Sequence, residues 1–102
     1  MVRAILTGRW HVKAVWYEAT GSAKKVLRLG ETPAPKPEAG EVGVRVHASG
    51  INPSDTKRRD GWNGLPMLHP RIIPHSDGAG IIEAIGEGVD QSRIGERVWL
   101  WN

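Results

Sequence analysis

The sequence contains no cysteine among its 102 residues. Disulfide bonds, thiolate metal sites and cysteine nucleophiles are therefore excluded, and the absence fits a reducing cytoplasm. The chain also lacks any apolar run near the ~20 residues that a membrane-spanning helix needs. Its opening residues lack the apolar segment and small-residue cleavage site of a secretory signal. These absences favour a cytoplasmic protein with no membrane partner.

Excess charge is also scarce, since 14 Lys and Arg residues against 11 Asp and Glu residues leave a net charge of +3. The dense basic run is Lys57 to Arg59, and no aromatic residues are interleaved with it. Such a run is typical of a solvated surface, so we expect no nucleic-acid partner. The length suits one domain, and a hydrophobic share of 39% is ordinary for a globular protein.

Turn-forming residues are abundant, because 13 Gly and 7 Pro separate short apolar segments. This punctuation is typical of a mainly β protein with little helix. Irregular segments are predicted at Thr32 to Gly40, Trp62 to Pro74 and Glu87 to Gly95. Five strands are predicted: Val12 to Tyr17, Val26 to Leu29, Glu41 to Ser49, Gly80 to Ile85 and Arg97 to Trp101.

The strand at Glu41 to Ser49 has the clearest pattern. Val42, Val44, Val46 and Ala48 alternate with polar or small residues, which predicts one face in the core and one in contact with water.

A short helix is predicted directly after that strand, at Ser54 to Asp60. Asn52 can cap a helix and Pro53 suits the first helical position, while Gly61 is a typical helix end.

Three segments resemble one known family in order and at its spacing. They are VKAVWYEATGSAKKVLRLGETPAPKPEAGEVGVRVHASGINPSD from Val12, IPHSDGAGIIEAIGEGV from Ile73, and IGERVWL from Ile94. The chain resembles the N-terminal GroES-like domain of the medium-chain dehydrogenases/reductases, of the zinc-free NADPH:quinone oxidoreductase (zeta-crystallin-like) type. The resemblance implies a mainly β fold, a partly open barrel with one short helix, truncated before the Rossmann domain.

The same resemblance sets the expected domain limits. Val12-Lys13-Ala14 stands where the family begins with Met-Lys-Ala. We therefore expect residues 12–102 to form an incomplete GroES-like domain. Residues 1–11 are expected to be a leader outside the fold, with natural synthesis beginning at residue 12.

Zinc is not expected. By resemblance, Asn52 stands where zinc-dependent relatives carry a cysteine, and Ser76-Asp77 stands where they carry a His-Glu pair. Asn and Ser are poor zinc ligands, and one carboxylate cannot hold the ion. The four histidines, at positions 11, 47, 69 and 75, form no pair with ligand spacing.

Gly78-Ala79-Gly80 could be mistaken for the start of a dinucleotide-binding fingerprint. That fingerprint requires a third glycine and a following helix. Here Glu83 stands at the third position and a strand is predicted next, so strand and turn glycines are the favoured interpretation.

The resemblance implies hydride transfer from NADPH to a quinone or an activated alkene. Asn52 is the first candidate, as an amide near the nicotinamide or the acceptor oxygen, with helix capping as the alternative. Asp55 is expected to hold the helix start at the edge of the same pocket. Lys57 stands where many quinone oxidoreductases carry a tyrosine, and Trp62 either replaces that aromatic surface or packs the loop.

The sequence leaves two further functions open. A stand-alone, non-enzymatic GroES-like binding or assembly module is the alternative to the enzyme, although no ring-forming feature is seen in the sequence. A remnant of a zinc alcohol dehydrogenase is disfavoured by Asn52 and Ser76. The resemblance further implies that full-length relatives are homo-oligomers, and that 102 residues without a Rossmann domain are inactive alone.

Overall fold

The computed structural model describes residues 2–4 and 11–101. The fold is mainly β with one main helix, as the sequence predicts. Within the described part, no helix has the length and apolar character to cross a bilayer. In chain order the elements are β1 (Val2–Ala4), β2 (His11–Trp16), α1 (Ala23–Val26), β3 (Arg28–Pro33), β4 (Val42–Gly50), α2 (Pro53–Asp60), β5 (Asp77–Ile85) and β6 (Arg97–Leu100). Single 3₁₀ turns lie at Trp62–Gly64 and Gln91–Arg93.

The strands form two sheets. One has four strands in the order β1-β4-β5-β6, and the other pairs β2 with β3. β4 runs antiparallel to β5, from Val42 opposite Ile85 to Gly50 opposite Asp77, so the end of β4 lies beside the start of β5. The core lies between these central strands, where Val42, Val44 and Ile82 are buried.

The alternation predicted for β4 is confirmed at Val42 and Val44 and fails at Ala48. Val44 is completely buried, whereas Ala48 is exposed. The pairing register shifts between Val46 and Ala48. An extra residue in one strand changes which face the following side chains occupy, so the simple alternation cannot extend past His47.

The segment around Val26 differs from its prediction as a strand. Ala23–Val26 is a helical turn, and the strand starts only at Arg28. Ala and Lys favour helix, and Val26 is the last helical residue.

Thr32 to Gly40 also differs in part from its prediction as a loop, because β3 continues through Pro33, which pairs with His11. β3 pairs only with β2 among the described strands. Proline is tolerated at the end of such an edge strand.

The first eleven residues were expected to lie outside the fold. The structure instead pairs Val2–Ala4 with Val42–Val44 as a parallel edge strand, and His11 is the first residue of β2. An open strand edge presents unpaired backbone groups that a neighbouring segment can satisfy. Residues 5–10 lie outside the described residues, and a natural start at residue 12 stays a prediction.

The glycines of β5 permit close strand packing. A Cβ atom added to Gly80 would overlap the Arg45 carbonyl oxygen, and one added to Gly78 would come 2.7 Å from the Ala48 oxygen. Both glycines lie inside a strand. The strand interpretation of Gly78-Ala79-Gly80 is therefore confirmed, and no helix follows it as a dinucleotide fingerprint requires.

The C-terminal strand leaves two large aromatic residues uncovered. Trp99 is 85% exposed and Trp101 is 90% exposed. The alternation predicted for β6 is confirmed, since Val98 and Leu100 point toward the core cluster.

Candidate functional site

The site begins at the N-terminus of α2, where the chain leaves β4. Asn52 is extended, with φ −117°, and Pro53 is the first helical residue. The Asn52 backbone N–H donates to Asp55 Oδ2 at 2.8 Å. Gly61 ends the helix in the left-handed conformation, with φ 73°. The predicted helix start and end are confirmed, and Asp55 holds the first turn.

The Asn52 side chain is oriented by a carboxylate from the neighbouring strand. Its Nδ2 atom donates to Asp77 Oδ2 at 2.5 Å. An ionised carboxylate accepts hydrogen bonds and donates none, so this contact requires the amide nitrogen to face Asp77. The NH₂ group has a second hydrogen, which is available to another acceptor.

A second polar pair lies beside the first. Ser49 Oγ and His75 Nδ1 are 2.6 Å apart. His75 has φ 82°, a region that residues other than glycine rarely occupy. Together with Asn52 and Asp77, this pair makes the end of β4 and the start of β5 a polar cluster.

Lys57, in the second half of α2, and Trp62, just after the helix, are the other two predicted pocket residues and lie together. Lys57 Nζ is 5.1 Å from the centroid of the Trp62 ring. Trp62 is 53% exposed, so the loop leaves much of the indole uncovered. Because a helix rises ~1.5 Å per residue, Lys57 is about 7.5 Å along the axis from Asn52.

No group of three or more His, Asp or Glu side chains in the described part of the chain could hold a metal ion. The Asn52–Asp77 hydrogen bond joins two of the positions that the resemblance assigns to zinc ligands in other members. The sequence identifies Asp77 only as an insufficient zinc ligand and does not predict its contact with Asn52. Its alignment with a ligand position was the signal that could have found it.

A groove of about 690 Å³ runs along β5 and β6, between His47 and Trp99. It shares no lining residue with the polar cluster around Asn52.

Comparison with known proteins assigns the family. Residues 38–102 match the family model of the alcohol dehydrogenase GroES-like domain. Pig quinone oxidoreductase is 34% identical over 93 residues, covering 91% of this chain and 28% of that protein. The chain thus spans about a quarter of the length of the quinone oxidoreductases it matches.

Solved structures agree with that assignment. A Bacillus thuringiensis protein, provisionally named an NADPH:quinone reductase, superposes with a TM-score of 0.78 and 31% identity, over 89% of this chain and 27% of the other. The RspB alcohol dehydrogenase of Escherichia coli CFT073, solved with NADH, gives a TM-score of 0.71 and 37% identity, over 89% of this chain and 24% of the other. The chain belongs to the alcohol dehydrogenase GroES-like domain family, and quinone oxidoreductases are among its relatives.

Proposed function

We propose that this chain is the acceptor-side domain of a zinc-independent oxidoreductase that uses NADPH to reduce a quinone or an activated alkene. The printed names of the relatives support the coarse class, since they include quinone oxidoreductases and an enzyme solved with NADH. The choice of NADPH and of a quinone or enone acceptor follows the family resemblance. A chain without cysteine is compatible with action in the cytoplasm.

The observation that carries this proposal is the Asn52–Asp77 hydrogen bond of 2.5 Å. It fixes the amide so that one N–H is used and the other can donate to an acceptor oxygen. Negative charge develops on that oxygen during reduction, and a fixed donor stabilises such charge more than mobile water does. Asn52 would thus perform, by hydrogen bonding, the polarisation that a metal performs elsewhere.

Asp55 and Asp77 act through Asn52 in this account. Asp55 binds the backbone N–H of Asn52 and fixes where the helix begins. Asp77 binds the side chain and fixes which way the amide points. Both are positioning residues, since neither needs to contact the acceptor.

The cofactor, when bound, supplies the hydride. The residues of this chain fit only its nicotinamide end. Gly78 and Gly80 belong to β5 and pack against backbone, so they form no phosphate loop. Asn52 is therefore the residue proposed to lie near the nicotinamide, and the rest of the cofactor would bind outside these residues.

Lys57 and Trp62 are proposed as the outer wall of the acceptor pocket. Lys57 lies over one face of the indole, and the exposed remainder offers a flat apolar surface to a ring-shaped acceptor. This pair would take the place of the tyrosine that the resemblance leads one to expect at position 57.

A chimera tests the proposal. The matched 93-residue segment of pig quinone oxidoreductase is replaced by the corresponding segment of this chain, and NADPH oxidation is measured with a quinone. Loss of one fixed donor to a developing oxyanion costs about 100-fold in kcat. We expect that loss for Asn52→Ala, with NADPH binding unchanged, and a smaller loss for Asp77→Asn, which frees the amide to rotate.

The matched control is Gln91→Ala, which removes an exposed amide in a 3₁₀ turn. It should leave kcat unchanged. If Asn52→Ala keeps kcat within about twofold of the parent chimera, Asn52 does not polarise the acceptor and the proposed mechanism is wrong.

A further inference from the structure

A second cavity lies between the end of β2, the middle of α2 and the loop that follows the 3₁₀ turn at Trp62–Gly64. Its volume is about 430 Å³, within the range of pockets that hold small molecules. Leu65, Met67, Leu68 and Ile72 give it an apolar wall. Asn52 and Asp77 do not line it, so it is separate from the site proposed above.

The loop that forms this wall is tied to β2 by two sets of contacts. Tyr17 and Ile72 exchange two backbone hydrogen bonds of 3.0 Å each. Arg71 binds Glu18 at 2.9 Å and stacks 4.5 Å from the Trp16 ring centroid. The cavity therefore has a defined wall, which lowers the cost of ordering it around a ligand.

Tyr17 supplies an unused donor to this cavity. The residue is only 2% exposed and lines the cavity. Within residues 2–4 and 11–101 its hydroxyl has no hydrogen-bond partner. Burial raises the pKa of the Tyr17 phenol, so the hydroxyl stays protonated and can donate. A hydroxyl that lines a cavity without a partner can donate a hydrogen bond to a ligand oxygen there.

Arg58 supplies a cation at the same place. It lines the cavity, and its charge acts on Tyr17. The neighbouring Arg59 donates to the Gly21 carbonyl oxygen at 3.2 Å and pairs with Asp60 at 3.0 Å. Arg58 has no such ion pair within the described part of the chain.

The electrostatics of the cavity favour an anion. No Asp or Glu side chain lines it, and His69 is its other titratable lining residue besides Tyr17 and Arg58. Asp55 is the carboxylate that acts on Tyr17 from outside the lining, and it already accepts the Asn52 N–H at 2.8 Å. An Arg guanidinium and a phenol together match the two oxygens of a carboxylate.

We propose that this cavity binds a small apolar molecule carrying one carboxylate, with the Arg58 guanidinium and the Tyr17 hydroxyl holding the carboxylate and the apolar wall holding the body. This site is independent of the proposed reductase function. It is assigned by the exposed Arg58, which has no ion pair among the described residues, and by the Tyr17 hydroxyl, which has no hydrogen-bond partner among them, because both line the same apolar cavity.

To test this, the 102-residue chain is titrated with 2-naphthoate, and binding is monitored through the NMR shifts of its backbone amides. The neutral isostere 2-naphthamide is titrated in parallel. We expect shifts centred on Tyr17, Arg58 and residues 65–72, with naphthoate binding at least about tenfold more tightly than the amide. Equal affinities, or shifts centred elsewhere, would overturn the proposal.

Four variants separate the contributions of the hydroxyl, the cation and the net charge. Tyr17→Phe should weaken naphthoate binding about fivefold or more without changing the fold, because the hydroxyl has no internal partner to lose. Arg58→Gln should weaken it about tenfold or more, while Arg58→Lys restores part of the affinity. Arg28→Gln, which removes an exposed arginine on β3, should leave it unchanged. If Arg28→Gln weakens binding as much as Arg58→Gln, net charge alone accounts for the effect.

Discussion

Gly80→Ala provides a strong test of the fold, because Gly80 lies in β5 directly against the backbone of β4. The residue pairs with Val46 on one side and with Val98 on the other. An added methyl group would overlap the Arg45 carbonyl oxygen and come within 2.8 Å of Val44 Cγ1. Neither neighbour can avoid the methyl by a simple side-chain rotation, since the first is backbone and Val44 is completely buried.

The loss in free energy of unfolding can be worked out from the backbone movement that the methyl group requires. The strands have to separate locally, which weakens about two ladder hydrogen bonds worth ~1 kcal/mol each. Overpacking of a dense core adds roughly 1–3 kcal/mol. We therefore expect Gly80→Ala to destabilise the domain by about 3 kcal/mol or more. For a domain of about 100 residues, this corresponds to a fall in Tm of roughly 12–24 °C.

Urea and thermal unfolding, followed by tryptophan fluorescence, measure this effect. Gly88→Ala is the matched control, because nothing lies within 4 Å of its added Cβ while its φ of 84° remains unfavourable for alanine. It should cost about 1–2 kcal/mol. A Gly80→Ala variant within 1 kcal/mol of the parent would contradict the strand packing described above.

Two further predictions concern titration and metal content. Because burial raises the pKa of Tyr17, its contribution to stability is complete below the unfolded pKa of about 10 and is lost as pH rises through the folded value. The urea midpoint should therefore fall more steeply above pH 10 in the parent than in Tyr17→Phe, and equal slopes would contradict the burial argument. Elemental analysis of the purified chain should find no stoichiometric zinc, whereas one zinc per chain would refute the metal-free interpretation of Asn52 and Ser76.

The sequence predicted those elements whose signals are local. The alternation in β4 and the Asn-Pro start and Gly61 end of α2 depend on strand period and capping, which act over a few residues. The extension of β3 to Pro33 was missed because it depends on an edge position, which a local pattern does not reveal. The helical turn at Ala23–Val26 was missed because Val26, Leu27 and Leu29 form a short apolar segment that is typical of a strand.

The candidate site was predictable in part for the same reason. Asn52 and Asp55 are three residues apart at a helix start, so their contact follows from local geometry. Asp77 is 25 residues from Asn52, and it reaches the amide only because β4 and β5 pair in a particular register. The Tyr17–Ile72 bridge likewise depends on how a loop folds back onto β2, which no periodicity encodes.

The central claim is that this domain can hold an acceptor for reduction without zinc. The most direct measurement is quinone-dependent NADPH oxidation by the chimera with pig quinone oxidoreductase, beside the 102-residue chain alone and with metal removed from both. The account predicts turnover by the zinc-free chimera and none by the chain alone. A folded chimera that binds NADPH without reducing any quinone, or turnover by the isolated chain, would contradict it.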